Sequence, residues 1–268
     1  MIDLGRFNLL GIQINAVDYD GALAQILSAA QEGRSLGVSA LAVHGVMTGF
    51  LDDTHKYRLN ELEVLVPDGQ AVRWGLNLLH RTKLKDRVYG PNLMLKTCQR
   101  AAEDKLPIFL FGGNEALLKQ LEQRLTTLFP DLKISGMRAS KFRTLEPHEK
   151  LELIDEIKIS QAQITFVGLG CPRQEVWAFE FRKQLSMPVL AVGAAFNFHA
   201  GLLPQAPPLM QAWGLEWLYR LSKEPRRLWT RYVLLNPLYL SMLFLQWTGL
   251  RNFDPEDTVA PNSETLYG

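Results

Sequence analysis

An α/β fold is predicted for this 268-residue chain by three features: short apolar runs alternating with helix-period stretches, glycine-marked turns after several runs, and a proline-rich break near residue 204. The pattern is that of a Rossmann-like, largely parallel sheet flanked by helices, followed by a C-terminal helical appendage. Strands are expected at 38–44 (VSALAVH), 63–67 (EVLVP), 107–113 (PIFLFGG), 163–170 (QITFVGLG) and 188–196 (PVLAVGAAF). After the third strand, NEALLKQLEQRLTTLF places Leu117, Leu118, Leu121, Leu125 and Leu128 on one helical stripe. In EPHEKLELIDEIKIS, Pro147 suits a first helical position and Leu151, Ile154 and Ile157 share a face. The expected organisation is an α/β core over 1–204, a helical appendage over 205–250 opening after LLPQAPP, and a loose polar tail over 251–268.

Composition narrows the function classes. With 47% hydrophobic and 21% charged residues the chain is globular, and its net charge of +1 argues against a nucleic-acid binder. The two cysteines, Cys98 and Cys171, lack metal-ligand spacing and make no disulfide framework, which suits a reducing cytoplasm. The start, MIDLGRFNLLGIQIN, has no apolar stretch of signal-peptide type. Residues 232–250 carry no charge, but Asn236, Pro237, Ser241, Gln246 and Thr248 dilute them, so docking on the core or lying at an interface is expected over spanning a bilayer.

In open α/β sheets ligands bind beyond the carboxyl ends of the strands, so those loops hold the candidates. Gly112 and Gly113 in FLFGGN either admit a phosphate at a helix start or make a tight turn. In FVGLGCPRQE, Gly168 and Gly170 precede Pro172 and a helix with Gln174, whose amide suits a planar base or sugar hydroxyls. The third glycine and downstream acid of a dinucleotide site are missing, which weakens a nicotinamide-dependent oxidoreductase. Asp68, directly after a strand in VLVPDGQAVRWG, is either a helix cap or a general base. Arg87 is a phosphate ligand or a surface cation, and His44 lines the crevice or sits in the core. Asp18 and Asp20 in DYD read as capping and first-turn acids of a first helix rather than metal ligands, and Asp52 and Asp53 as solvated helical surface.

Taken together, PDGQAVRWG, RVYGPNLM, FLFGGNEA, FVGLGCPRQEVW, VGAAFNFHAG and GLEWLYRL…EPRRLWTRY resemble the bacterial TagA/CpsF/WecG glycosyltransferase family over roughly residues 8–232. That family includes N-acetylmannosaminyltransferases of the teichoic acid linkage unit and of enterobacterial common antigen. The resemblance implies an inverting transfer, without metal or other cofactor, from a UDP-sugar donor to a polyprenyl-diphosphate-linked acceptor in surface polysaccharide synthesis. It also implies a peripheral position on the cytoplasmic face of the membrane and a tendency to self-associate. By the same resemblance Asp68 is the catalytic base, and Arg87 and Gln174 bind the donor, with the glycine loops, His44 and Asn197 beside them. The chain departs from the family in placing Val43 and Gly45 where a T-x-N arrangement is usual, and Asn92 and Asn197 where aspartate is common. The donor is therefore equally another hexose, such as glucose or an N-acetylated or acidic derivative. A catalytically silent membrane-associated scaffold is the remaining alternative, but Asp68 and Gln174 are both retained.

The segment GLEWLYRLSKEPRRLWTRY (214–232) interleaves Trp217, Tyr219 and Trp229 with Arg220, Arg226, Arg227 and Arg231. Pro225 is expected to open a helix, and Arg226 and Arg227 in its first turn oppose the helix dipole unless an anion docks there. A lipid-linked diphosphate is the expected anion, with the aromatics at headgroup level. The plainer alternative pairs these arginines with Glu216, Glu224 and solvent.

Overall fold

The computed structural model describes residues 1–268 except the side chains of Arg227, Thr230 and Arg231. Six parallel strands form the central sheet: β3 (Leu36–Leu41), β4 (Val64–Pro67), β5 (Ile108–Gly112), β6 (Ile134–Arg138), β7 (Ile164–Gly168) and β8 (Pro188–Ala191), in the order β4-β3-β8-β7-β5-β6. An antiparallel hairpin, β1 (Asp3–Leu9) and β2 (Ile12–Val17), precedes them. Its turn residues Leu10 and Gly11 have φ of 56° and 84°, the left-handed pair that matches strand twist in a two-residue hairpin.

The inner strands are largely apolar on both sides, because helices cover both faces. Ile108 and Leu110 face one core with α1 (Tyr19–Gln31), α5 (Gly90–Glu103), α6 (Glu115–Leu128) and α9 (Ala195–His199). Phe109 and Phe111 face the other, with the hairpin, α2 (Val43–Leu51), α3 (Asp53–Glu61), α4 (Gln70–His80), α7 (Pro147–Ile159) and α8 (Arg173–Leu185). Each fully buried leucine- or phenylalanine-sized side chain contributes about 1.5–3 kcal/mol, so these two layers set the sheet geometry on which the loops stand.

Several sequence expectations hold and some shift. Leu117, Leu118, Leu121 and Leu125 are buried on α6, but Leu128 is exposed at the helix end. On α7, Ile154 and Ile157 are buried, whereas Leu151 is exposed and Leu153 takes its place in the core. Asp18 caps α1 by accepting from the Gly21 N–H at 2.8 Å, and Asp52 caps α3 through Thr54 and His55.

The appendage consists of α10 (Pro208–Ala212), α11 (Glu216–Lys223) and α12 (Pro225–Trp247). Among the described residues no helix is long and apolar enough to cross a membrane. The second half of α12 docks on the core: Tyr239 and Leu243 are buried there, and the Tyr239 hydroxyl donates to the Ala71 carbonyl at 2.9 Å. Gln246 accepts from the Leu10 N–H at 2.9 Å and donates to the Asn8 carbonyl at 3.2 Å. The polar residue that dilutes the apolar stretch thus ties it to the hairpin turn. The tail also differs from the loose segment expected. Glu180 accepts from the Thr265 and Leu266 N–H groups at 2.6 and 2.9 Å, Leu145 N–H donates to Leu266 at 2.7 Å, and Phe253 is buried. Many of its anchors are backbone groups, which composition does not reveal.

Tyr239→Phe removes one donor and leaves the Ala71 carbonyl without it, so a loss of about 1–2 kcal/mol is expected. Denaturant unfolding monitored by fluorescence should show the midpoint fall with an unchanged m-value.

Candidate active site

A cavity of about 360 Å³ opens beyond the carboxyl ends of β3, β4, β7 and β8. The neighbouring strands β3 and β8 lie where the chain crosses from one side of the sheet to the other, the usual ligand position in an open α/β sheet. Asp68, Gln174, Glu175, Gly170, Glu216 and Arg220 are among its lining residues.

Asp68 follows the last residue of β4, and its N–H donates to the Leu41 carbonyl at 3.0 Å, fixing it beside β3. Its side chain does not cap α4, whose start carries no side-chain cap. Instead Oδ1 accepts from the Gly90 N–H at 2.6 Å, at the first turn of α5. Among the described residues nothing donates to Oδ2. Burial raises the Asp68 carboxyl to about 6, opposed by Arg87 and by the Gly90 N–H and assisted by Glu216. A carboxylate poised there is ionised at neutral pH yet basic enough to accept a proton.

Arg87 is buried under the appendage. Its guanidinium donates to the Asp68 carbonyl at 3.2 Å and to Glu216 Oε2 at 2.7 Å, and lies 4.2 Å from the centre of the Tyr89 ring. Tyr89 completes the cluster by donating its hydroxyl to Glu216 Oε1 at 3.1 Å. Glu216 therefore pairs with Arg87 from the core, and sequence reasoning, which offered it to the arginines of its own segment, missed this partnership and that of Tyr89. The signal available was the acid at the start of α11 beside the RVYG loop, but contact across 129 residues is invisible to spacing.

On the opposite wall, Gln174 Oε1 accepts from the Gly170 N–H at 3.1 Å and its Nε2 donates to Glu175 Oε1 at 2.9 Å. Ser39 Oγ donates to the same Glu175 oxygen at 3.0 Å. Arg220, on α11, reaches the cavity with its guanidinium 5.8 Å from the centre of the Phe198 ring.

Other expected site residues lie elsewhere. Gly112 and Gly168 are paired across β5 and β7, and a Cβ on Gly112 would sit 2.7 Å from the Gly168 carbonyl oxygen. These two glycines serve strand approach, and neither they nor Gly113 line the cavity. His44 lies in the first turn of α2, with Nδ1 buried and, among the described residues, without a partner, immediately before the cavity-lining Gly45. Asn197, on α9, is half-buried, and its carbonyl accepts from Leu202 and Leu203. Arg226 is exposed at the start of α12, which Pro225 opens as expected. Arg227 and Arg231 fall outside the described side chains.

Because the folded protein binds a proton at Asp68 more tightly than the unfolded chain, this residue's contribution is complete below its ordinary value of 3.8 and is lost as pH rises through about 6. Asp68→Asn should therefore be more stable than the parent at about pH 8, by up to about 3 kcal/mol, with the advantage vanishing near pH 4. Denaturant unfolding across that range checks it.

A family model described as the glycosyl transferase WecG/TagA/CpsF family matches residues 7–253 of the 268.

Proposed function

From the premise that the chain belongs to the WecG/TagA/CpsF glycosyltransferase family and is an enzyme that transfers sugars, we propose that it moves a hexose-type sugar from a UDP-sugar to a polyprenyl-diphosphate-linked saccharide, with inversion and without a metal. The family assignment sets the nicotinamide-dependent alternative aside. The observation that carries the finer reading is Asp68: a carboxylate at about 6, on the wall of a cavity whose other side presents Gln174 and Arg220.

Asp68 Oδ2 takes the proton of the acceptor hydroxyl as that oxygen attacks the anomeric carbon from the face opposite UDP. One bond forms, the bond to the UDP oxygen breaks, and the electron pair leaves with the diphosphate. The Gly90 N–H holds Oδ1 so that Oδ2 points the same way in each turnover. Guanidinium groups and backbone N–H groups stabilise the departing charge, the role a metal plays in other transferases. Arg87 joins them by exchanging the Glu216 carboxylate for phosphate oxygens, both being anions suited to its planar fork. Gln174, held by Gly170 and Glu175, reads the donor.

The appendage supports an acceptor presented from a membrane. Leu209, Trp217, Leu218, Trp229 and Leu234 are exposed on α10, α11 and α12, and Trp213 is exposed at the C-cap of α10. A solvated surface gains nothing from such a patch, whereas the headgroup region accommodates aromatic and aliphatic side chains beside arginines. The protein then works as a peripheral enzyme on the cytoplasmic face of the membrane, with Arg220, Arg226, Arg227 and Arg231 meeting the lipid-linked diphosphate.

Purified protein incubated with a panel of UDP-sugars and short polyprenyl-diphosphate acceptors should release UDP in the absence of Mg²⁺ or Mn²⁺. Asp68→Asn should lower kcat about 100- to 10,000-fold while retaining donor binding, and full activity in that variant rejects the base. Parent turnover should rise with pH through about 6 as Asp68 ionises. Replacing Arg226, Arg227 and Arg231 together with alanine should raise the acceptor KM far more than the donor KM. Equal loss of both contradicts the acceptor assignment.

A further inference from the structure

Beside the cavity lies a cluster of ligand-type side chains, of which only Glu175, as a support for Gln174, enters the proposed transfer. His55 of α3, Cys171 in the loop after β7 and Glu175 in the first turn of α8 bring one ligand atom each to within 4.8 Å of one another. His55 and Glu175 are 2% and 1% exposed. Both ring nitrogens of His55 and Oε2 of Glu175 are buried without a hydrogen-bond partner. Leaving several polar atoms unsatisfied at one point is costly, and an ion at that point relieves it.

We propose that His55, Cys171 and Glu175 form a binding site for a zinc-class transition-metal ion, with Glu175 Oε2 as the carboxylate ligand. The donor set is imidazole, thiolate and carboxylate, which suits Zn²⁺ and not the all-oxygen preference of Mg²⁺ or Ca²⁺. Ligands at zinc distances stand roughly 3.3–3.8 Å apart in a tetrahedron, so a contraction of about 1 Å closes the set. Cys171 and Glu175 also line the cavity, which supplies solvent as a fourth ligand.

The surroundings orient the carboxylate. Ser39 Oγ and Gln174 Nε2 both donate to Glu175 Oε1, leaving Oε2 for the ion, the arrangement by which outer partners fix a metal ligand. Charge also balances: a thiolate and a carboxylate carry two negative charges against a divalent cation, while Asp52 and Arg58 act on His55 with opposite sign. Binding releases the Cys171 thiol proton to solvent, and no redox change is involved. A bound ion ties α3 to the start of α8 and so stiffens the loop that carries Gln174. Its occupancy is read without turnover, so the site is tested independently of whether transfer is metal-free.

Co²⁺ is the probe. Full-length protein stripped with a chelator and titrated with Co²⁺ should show a thiolate-to-cobalt charge-transfer band saturating at one equivalent, displaced by Zn²⁺. Cys171→Ser should abolish the band, and Cys98→Ser should leave it intact, because Cys98 is buried in the opposite core layer. Ser39→Ala keeps all three ligands and should weaken Zn²⁺ binding about 10-fold while the band persists. No band in the parent protein, or a band surviving Cys171→Ser, overturns the proposal.

Discussion

The burial of Arg87 between the core and the appendage is the constraint from which the site follows. Its guanidinium meets the Asp68 carbonyl, the Tyr89 ring and the Glu216 carboxylate within one cluster. A buried cation without an anion costs several kcal/mol, so α11 must deliver Glu216 to this point for the arginine to remain there. Delivering it places Arg220, one turn further along α11, at the cavity. The same ion pair therefore closes the site, orients the neighbouring loop and keeps negative charge near Asp68.

That negative charge adds to the burial of Asp68, which is the main cause of its raised proton affinity. Arg87 and the first N–H of α5 work against it, and the result is a group balanced near neutrality. The backbone places this carboxylate through β4 and a single hydrogen bond to β3, so the reactive group stands on the sheet and its electrostatics come from loops and appendage. The division is physically sensible. Strands buried on both faces hold position, while the loops above them tune charge.

Much of the architecture was legible in sequence because buried parallel strands are continuous apolar runs and α6 keeps a clear helical stripe. The hairpin and β6 were not, since most of β1 is exposed and every residue of β6 is half-buried, leaving no apolar run to read. Local spacing also left Asp68 between cap and base. The structure removes the cap of α4 and shows a bond to α5 from the end of β4, which depends on a contact 22 residues away. Gly112 and Gly168 were left open for a related reason: glycine is required both where phosphate approaches and where strands do, and the register shows the close strand approach at these two. Glu216, Tyr89 and Glu175 owe their importance to distant partners, which no local pattern encodes.

The central claim is that Asp68 is a base whose proton affinity is set by burial together with the Arg87–Glu216 pair. Its carboxyl carbon can be followed by NMR across pH, with the signal assigned by its loss in Asp68→Asn. The account predicts a midpoint at about 6 in the parent protein. In Glu216→Gln the midpoint should fall, because a negative charge is removed and Arg87 is freed to act on Asp68. A parent midpoint at the ordinary value of 3.8, or one that stays in place or rises when Glu216 is neutralised, contradicts it.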